Sequence, residues 1–412
     1  MNNNRTPITP LPEPMNGSES GSFAHLAVTK RFIKILQKIL ADNDFPPIVR
    51  QNLEKLNNEI PFASLKEIHD PMAPDVEEWN QHLLPYLKKN WLEIPWFIVE
   101  MYFYRRIIAA INFYQSGDMY GYDPFIKEKQ QALASATESI NYLGDLLKGI
   151  IPSSVKDSDR GLSDLHQLLV LNVWGNQADL SMWSASENRP DHQDTADQRS
   201  HLLVDDSDQV VAYLANNGDQ VRRVDFILDN YGPELVQDIG LADFLLSTGL
   251  AATVRFHAKP YPTYVSDAMI KDIHATLDHL DGSPRNSVRE MSARIQDYLR
   301  ENRLELKDDF FWTSPLYFWE MPDGIRQELS ESDLVVSKGD ANYRRLSGDL
   351  DWPPTTPFQD VVRYFPTALL ALRVLKAELA LGLTSNQVQD LDIQDPDWRF
   401  NGNWAVIQFF KS

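Results

Sequence analysis

Hydrophobic and polar positions along this chain follow one rhythm in the first half and another in the second. From Ala24 to Leu40 the apolar residues Leu26, Phe32, Ile33, Leu36 and Ile39 recur near helical spacing, with Lys30, Lys34 and Lys38 on the other face. Similar patterns over 47–58, 76–89, 96–112, 125–148 and 162–174 predict a mostly helical N-terminal half. Between Trp96 and Arg106 the same spacing gathers Glu100, Tyr104 and Arg105 on one broad helix surface, which predicts an internal ion pair.

A polar stretch at 184–208, containing Pro190 and a solvated turn at Asp205, Asp206 and Asp208, reads as a loop or boundary. Beyond it, short apolar runs alternate with amphipathic segments. Strands are expected near 224–228, 253–257, 333–337 and 404–410, with a further candidate at 309–312. Helices are expected near 233–249, 266–280, 285–301, 323–330 and 366–381. This alternation predicts an α/β fold in which the helical half packs on a doubly wound, Rossmann-like α/β/α half. The expected division is a disordered tail at 1–22, a helical region at 23–183, the boundary at 184–208 and an α/β domain at 209–412.

The chemistry-bearing residues cluster where such sheets bind ligands. The run Val224 to Asn230 is an apolar strand ending in a carboxylate and an amide; Pro233 then opens a helix, and Thr253 to His257 forms the next strand. That βαβ unit implies parallel pairing with a right-handed crossover, and ligands bind outside the carboxyl ends of such strands. Asp229 and Asn230 stand there, and the loop 258–265 with Pro260 and Pro262 can return Asp267 to the same edge. Carboxylate and amide oxygens suit Mg²⁺ or Mn²⁺. Asp or Asn at a strand end is equally a common turn former or helix cap, so both readings stand at this point. Leu334-Val335-Val336 ends in Ser337-Lys338-Gly339-Asp340, where glycine allows a tight turn whose amides can face an anion. Arg373 and Lys376, three apart on the expected helix 366–381, project two cations from one side.

Composition narrows the partners. Lys plus Arg number 39 against 59 Asp plus Glu, a net charge of −20 that repels nucleic acids and anionic membranes. With no cysteine, disulfides, thiolate metal sites and a Cys nucleophile are excluded. No run of 18 apolar residues is present, so no helix is expected to span a membrane, and with the charge this leaves neither nucleic acid nor membrane as an expected partner. Neither a Gly-x-x-x-x-Gly-Lys phosphate loop nor a His-Glu-x-x-His zinc motif occurs, and His257 reads as a packing or hydrogen-bonding residue.

Several separated motifs, in order, resemble those of the metal-dependent damage-control phosphatases, in the branch named after the acidic residue methyltransferase. They are Phe226-Ile227-Leu228-Asp229-Asn230 with Glu234 and Leu235, Ala242 to Leu246, Val265-Ser266-Asp267, Lys338-Gly339-Asp340-Ala341-Asn342-Tyr343-Arg344 and Leu372 to Glu378. The resemblance extends back to Gly21-Ser22-Phe23-Ala24, to Pro95-Trp96 with Glu100, Tyr102, Tyr104, Arg105 and Arg106, and to Trp174-Gly175-Asn176 with Asp179-Leu180-Ser181. It implies a hydrolase of small phosphorylated metabolites, with sugar phosphates such as fructose 1-phosphate as substrates. By position, Asp229, Asn230 and Asp267 would hold Mn²⁺, with Co²⁺, Ni²⁺ or Mg²⁺ as alternatives. Asp229, Asn230, Asp340, Ala341, Asn342, Tyr343, Arg344, Arg373 and Lys376 would hold substrate. The ion would polarise the phosphoryl oxygens while Lys376 and the turn amides offset charge in the transition state.

The resemblance also implies a cytoplasmic location, with the nucleus as a second one, and leaves the oligomeric state open. One departure is Arg373-Val374-Leu375-Lys376, where the branch carries Thr at the second position. The alternative reading is methyl transfer from S-adenosylmethionine to protein carboxylates. It is disfavoured because no Gly-x-Gly occurs in the chain. An aspartyl nucleophile of the Asp-x-Asp type would need Asp at 231, where there is Tyr. A protein that only binds its ligand remains the last alternative.

Overall fold

The computed structural model describes residues 5–155, 158–175, 199–216 and 222–412. Among the described residues seven strands make one sheet: β1 (Leu202–Asp205), β2 (Arg223–Ile227), β3 (Thr253–Ala258), β4 (Leu304–Asp308), β5 (Leu334–Lys338), β6 (Leu369–Val374) and β7 (Ala405–Phe410). Their order is β1-β7-β6-β5-β2-β3-β4. The five from β6 to β4 are parallel; β7 runs antiparallel to β6, and β1 is parallel to β7. From β2 the chain steps outward to β3 and β4, then returns to the other side of β2 as β5 and steps outward again. That reversal opens a crevice beyond the carboxyl ends of β2 and β5, the topological switch point of a doubly wound sheet.

The central strands are near-continuous apolar runs because both of their faces are covered. Val224, Phe226 and Leu228 enter a core with the helices Thr137–Ser154, Ser158–Val173, Pro233–Thr248, Ile270–Asp281 and Asn286–Arg300. Ile227, Val335, Leu369 and Ala371 face the opposite side, under Asp323–Ser330, Gly339–Ser347 and Phe358–Val362. The helical half has its own core, in which Phe32 stacks on Phe103 at 4.0 Å. Polar bolts join the halves. Glu100 meets Arg344 at 2.6 Å, Lys129 Nζ reaches Asp272 at 2.8 Å and the Asp267 carbonyl at 2.9 Å, and Arg345 lies over the Phe97 ring.

Several expectations are corrected. The helix foreseen at 366–381 is strand β6, and Arg373 lies on it with Lys376 in the loop beyond. All six residues of β6 are buried, and a run that is apolar but for Arg373 carries no period that separates a core strand from a core helix. The candidate strand at 309–312 is a 3-10 turn, Phe310–Thr313, capped where Phe311 N donates to Asp309 Oδ1 at 2.8 Å; the strand is the preceding β4. The segment 125–148 divides at Ala136 into two helices.

Glu100 and Arg105 do not pair with each other. Five residues turn a helix by about 140° beyond a full circle, so they face apart; Arg105 binds Asp70 and Asp75 instead. From Arg5 onward the expected tail is a strap laid on the surface. Its backbone bonds are Ile8 N to Asp360 O (3.0 Å), Asp351 N to Glu13 O (3.0 Å) and Trp96 N to Met15 O (2.7 Å). Backbone pairing of this kind needs no apolar side chains, so composition gives no sign of it. Within the expected boundary at 184–208, β1 occupies 202–205 and the Asp206 carboxylate accepts from Phe409 N at 3.0 Å. Asn176, Asp179 and Pro190 lie outside the described residues. His257 does hydrogen-bond, to Asp225 at 3.0 Å.

Candidate active site

Asp229 follows β2 and Gly339 follows β5, so the two meet at the switch point. Gly339 has φ of +80°, and a Cβ added there would lie 1.9 Å from Asp229 Oδ2. Only glycine gives both the left-handed turn and that close approach. The loop after β3 is stitched to the same place: Asn230 and Asp267 form an isolated antiparallel bridge, Ala268 N donates to Asp229 O at 2.7 Å, and Tyr231 N donates to Ser266 O at 2.6 Å. The Ser266 hydroxyl donates to Asn230 Oδ1. Asp267 is not a helix cap. The helix begins at Ile270, and Asp272 is the carboxylate that accepts from the entry amide, Met269 N, at 3.0 Å.

Acid is concentrated here against its own solvation preference. Burial, then Glu234 and Asp267, push the Asp229 carboxyl well above the ordinary carboxylate range. Burial raises Asp267 to about 6, with Lys259 and Lys129 pulling the other way. Neither carboxylate oxygen of Asp267 accepts a hydrogen bond, and Lys259 Nζ stands 3.5 Å off, an ion pair at the limit of hydrogen-bonding reach. Lys259 is itself desolvated, and burial together with Arg345 lowers its pKa. Asn230 Nδ2 donates to Asp229 Oδ2 at 2.7 Å and to Glu234 Oε2 at 2.9 Å, which fixes the amide between two carboxylates.

Cations stand on the opposite wall. Burial opposes ionisation of Asp340, yet Arg373 and Arg344 hold its carboxyl below the usual range. One oxygen of Asp340 accepts from Arg373 Nε at 2.8 Å and from Lys376 N at 3.2 Å, so it anchors the loop that carries Lys376. The Lys376 ammonium makes no ion pair among the described residues. On the helix Gly339–Ser347, positions 340, 341 and 344 share the pocket side, and the intervening residues turn inward. Asn342 Nδ2 therefore donates to Leu228 O at 3.1 Å, and the Tyr343 hydroxyl to Gln408 at 2.6 Å. Arg373 is buried under the site, 4.4 Å over the Tyr343 ring, and donates to Leu379 O at 2.7 Å. Val374 packs in the core, so the hydroxyl missing at that position would not have faced the pocket.

The result is a cavity of about 170 Å³ that brings together Asp229, Asn230, Asp267, Asp340, Ala341, Arg344 and Lys376. Asn342, Tyr343 and Arg373 support it from behind. Phe23, Arg31, Glu100, Tyr264 and Ser266 complete the lining. Arg31 and Tyr264 are lining residues that sequence patterning missed, Arg31 because Ala27–Arg31 winds as a π-helix and leaves the 3.6-residue repeat. Lys259, the buried counterion, had no signal either. Among the described residues no group of three or more His, Cys, Asp or Glu side chains could hold a metal ion. The donor set that could do so is mixed, two carboxylates and an amide.

The model of the damage-control phosphatase ARMT1-like domain matches residues 20–391. Damage-control phosphatase ARMT1 of Danio rerio is 33% identical, over 97% of this chain and 97% of that protein. The Homo sapiens protein of the same name is 31% identical, over 97% and 98%. A crystal structure of a DUF89 family protein from Pyrococcus horikoshii is 13% identical with a TM-score of 0.46, covering 92% of this chain and 96% of that one, too remote to bear on the site. The family model and these relatives run along almost the whole sequence, the crevice at the switch point included, and the chain belongs to the ARMT1-like damage-control phosphatase family.

Proposed function

We propose that this phosphatase hydrolyses phosphate monoesters of small metabolites, sugar phosphates such as fructose 1-phosphate among them, and depends on a divalent ion, Mn²⁺ foremost. The observation that carries the reading is the Asp267 carboxylate, buried beside Asp229 with no hydrogen bond to either oxygen and Lys259 standing off at 3.5 Å, across one cavity from the Lys376 ammonium, which has no ion pair among the described residues. Two buried carboxylates, Asp229 and Asp267, with Glu234 beside them, exceed in charge the buried ammonium of Lys259, and such an excess is costly unless a further cation joins it. Asp229, Asn230 and Asp267 fit a hard dication that keeps part of its water. When bound, such an ion supplies polarisation of the phosphoryl group and a water of raised nucleophilicity.

The chain's own residues do the rest. Glu234 holds the Asn230 amide in place, and Ser266 closes on its oxygen. Asp340 fixes the Lys376 backbone, leaving the ammonium to meet the phosphoryl oxygens as charge builds on them. The first amides of the helix Gly339–Ser347 point the same way, a favourable end for an anion.

Chelator-stripped protein offered a panel of sugar phosphates is expected to release phosphate only after Mn²⁺, Co²⁺, Ni²⁺ or Mg²⁺ is restored. Undiminished release without metal would sink the mechanism. Methyl transfer to protein carboxylates with no phosphate release would replace the function. Lys376→Ala should lower kcat/KM about a hundredfold, as loss of one transition-state donor does, with the melting temperature nearly unchanged. A large thermal loss with intact kinetics would make Lys376 a structural cation.

A further inference from the structure

Beside the acidic pocket lies a second cavity of about 160 Å³, nearly the size of the first, and Arg31 belongs to the walls of both. The partition is shared again by consecutive residues: Tyr264 lines the first cavity and Val265 the second. Both hold left-handed backbone, with φ of +48° and +69°. A β-branched residue adopts that conformation only where its surroundings enforce it, and such strain concentrates at binding sites.

The second cavity has an apolar lining of Ile35, Ile39 and Phe125, and its charged lining sets Arg31, Lys34 and Lys38 against Asp42 and Glu128. In a chain of net charge −20, the run from Lys30 to Lys38 places Lys30, Arg31, Lys34 and Lys38 close together with no acidic residue among them. Lys38 is taken by Glu128 at 2.6 Å, whereas exposed Lys34 makes no ion pair among the described residues. Arg31 stands 3.7 Å from Glu100, whose other oxygen already accepts from Arg344 at 2.6 Å, so its guanidinium keeps donors to spare. The π-helical turn swings Arg31 out of register to the junction of the two cavities.

We infer that the second cavity is the leaving-group subsite of the phosphatase pocket, taking the distal part of a phosphate monoester whose alcohol half has an apolar segment and ends in a second anionic group. This rests on the phosphatase reading above. The phosphate occupies the acidic pocket, the chain passes Arg31, the apolar segment lies on Ile35, Ile39 and Phe125, and the terminal anion meets Lys34.

The test compares ethyl phosphate, octyl phosphate and 8-carboxyoctyl phosphate as substrates of the full chain loaded with Mn²⁺, and Lys34→Glu in parallel with its melting temperature checked. Expected is a rise in kcat/KM of about tenfold or more from ethyl to octyl, from burial of methylenes. The carboxylate should add about threefold more, as one exposed ion pair does, and Lys34→Glu should invert that last step. Phosphate release from ethyl and sugar phosphates with no gain along the series overturns the subsite alone. An unchanged carboxylate preference in folded Lys34→Glu overturns the assignment of the terminal anion to Lys34. No release from any phosphate ester with any metal overturns the phosphatase reading and the subsite with it.

Discussion

Gly339→Ala should leave a folded protein that has lost about a hundredfold or more in phosphate release, the loss typical of displacing a catalytic group by about 1 Å. The new methyl would sit 1.9 Å from Asp229 Oδ2 and 2.3 Å from its Cγ, in a backbone of φ +80°. Alanine in that region costs roughly 1–2 kcal/mol, which a domain of this size survives with a drop of a few degrees in Tm. The collision is what matters, because β2 and β5 are pinned in register, Val224 against Leu334 through Ile227 against Ser337, and cannot slide apart. Asp229 must therefore move. Phosphate-release kinetics and a melting curve, measured on the same preparation, check this; wild-type turnover would mean that Asp229 need not stay where it stands.

Asp267→Asn is expected to weaken Mn²⁺ binding by at least about tenfold, since a unit charge at contact distance inside a protein is worth several kcal/mol. The substitution keeps the shape and one acceptor oxygen. Stability should change little, because Asp229 remains beside Lys259 as a countercharge. Turnover should fall with affinity and recover in part at excess metal. The rival explanation of Asp267 as a helix cap is gone, with Ile270 opening the helix and Asp272 serving its first turn. Calorimetric titration of Mn²⁺ decides the matter, and wild-type affinity in the variant would remove Asp267 from the site.

The same contrast between local pattern and tertiary placement runs through the chain. The sheet was legible because β2, β3 and β5 are short β-branched runs bounded by turn residues, and the helix Asp323–Ser330 matched its expected limits because Pro322 starts it sharply. Asp229 and Asn230 were found by their place at a strand end, a rule that needs only order along the sequence. Strand β6 was not, since Leu369 to Val374 is apolar but for Arg373 and its neighbours, β5 and the antiparallel β7, are what make it extended.

What the sequence determined by itself was the class of fold, the acidic and cationic residues of the switch-point edge, and the family motifs that order them. What only the tertiary structure decided was which side chains share the cavity. Asp340, Ala341 and Arg344 face it while Asn342 and Tyr343 turn away, a matter of how the helix Gly339–Ser347 is rotated against Leu228 and Gln408. Arg31 and Glu100 enter from the helical half, more than a hundred residues before Asp229, brought there by the Glu100–Arg344 contact. Periodicity reports the face that each element buries against its neighbours. It is silent on how two elements with well-formed faces dock on each other, and in this protein that docking completes the cavity with Arg31 and Glu100.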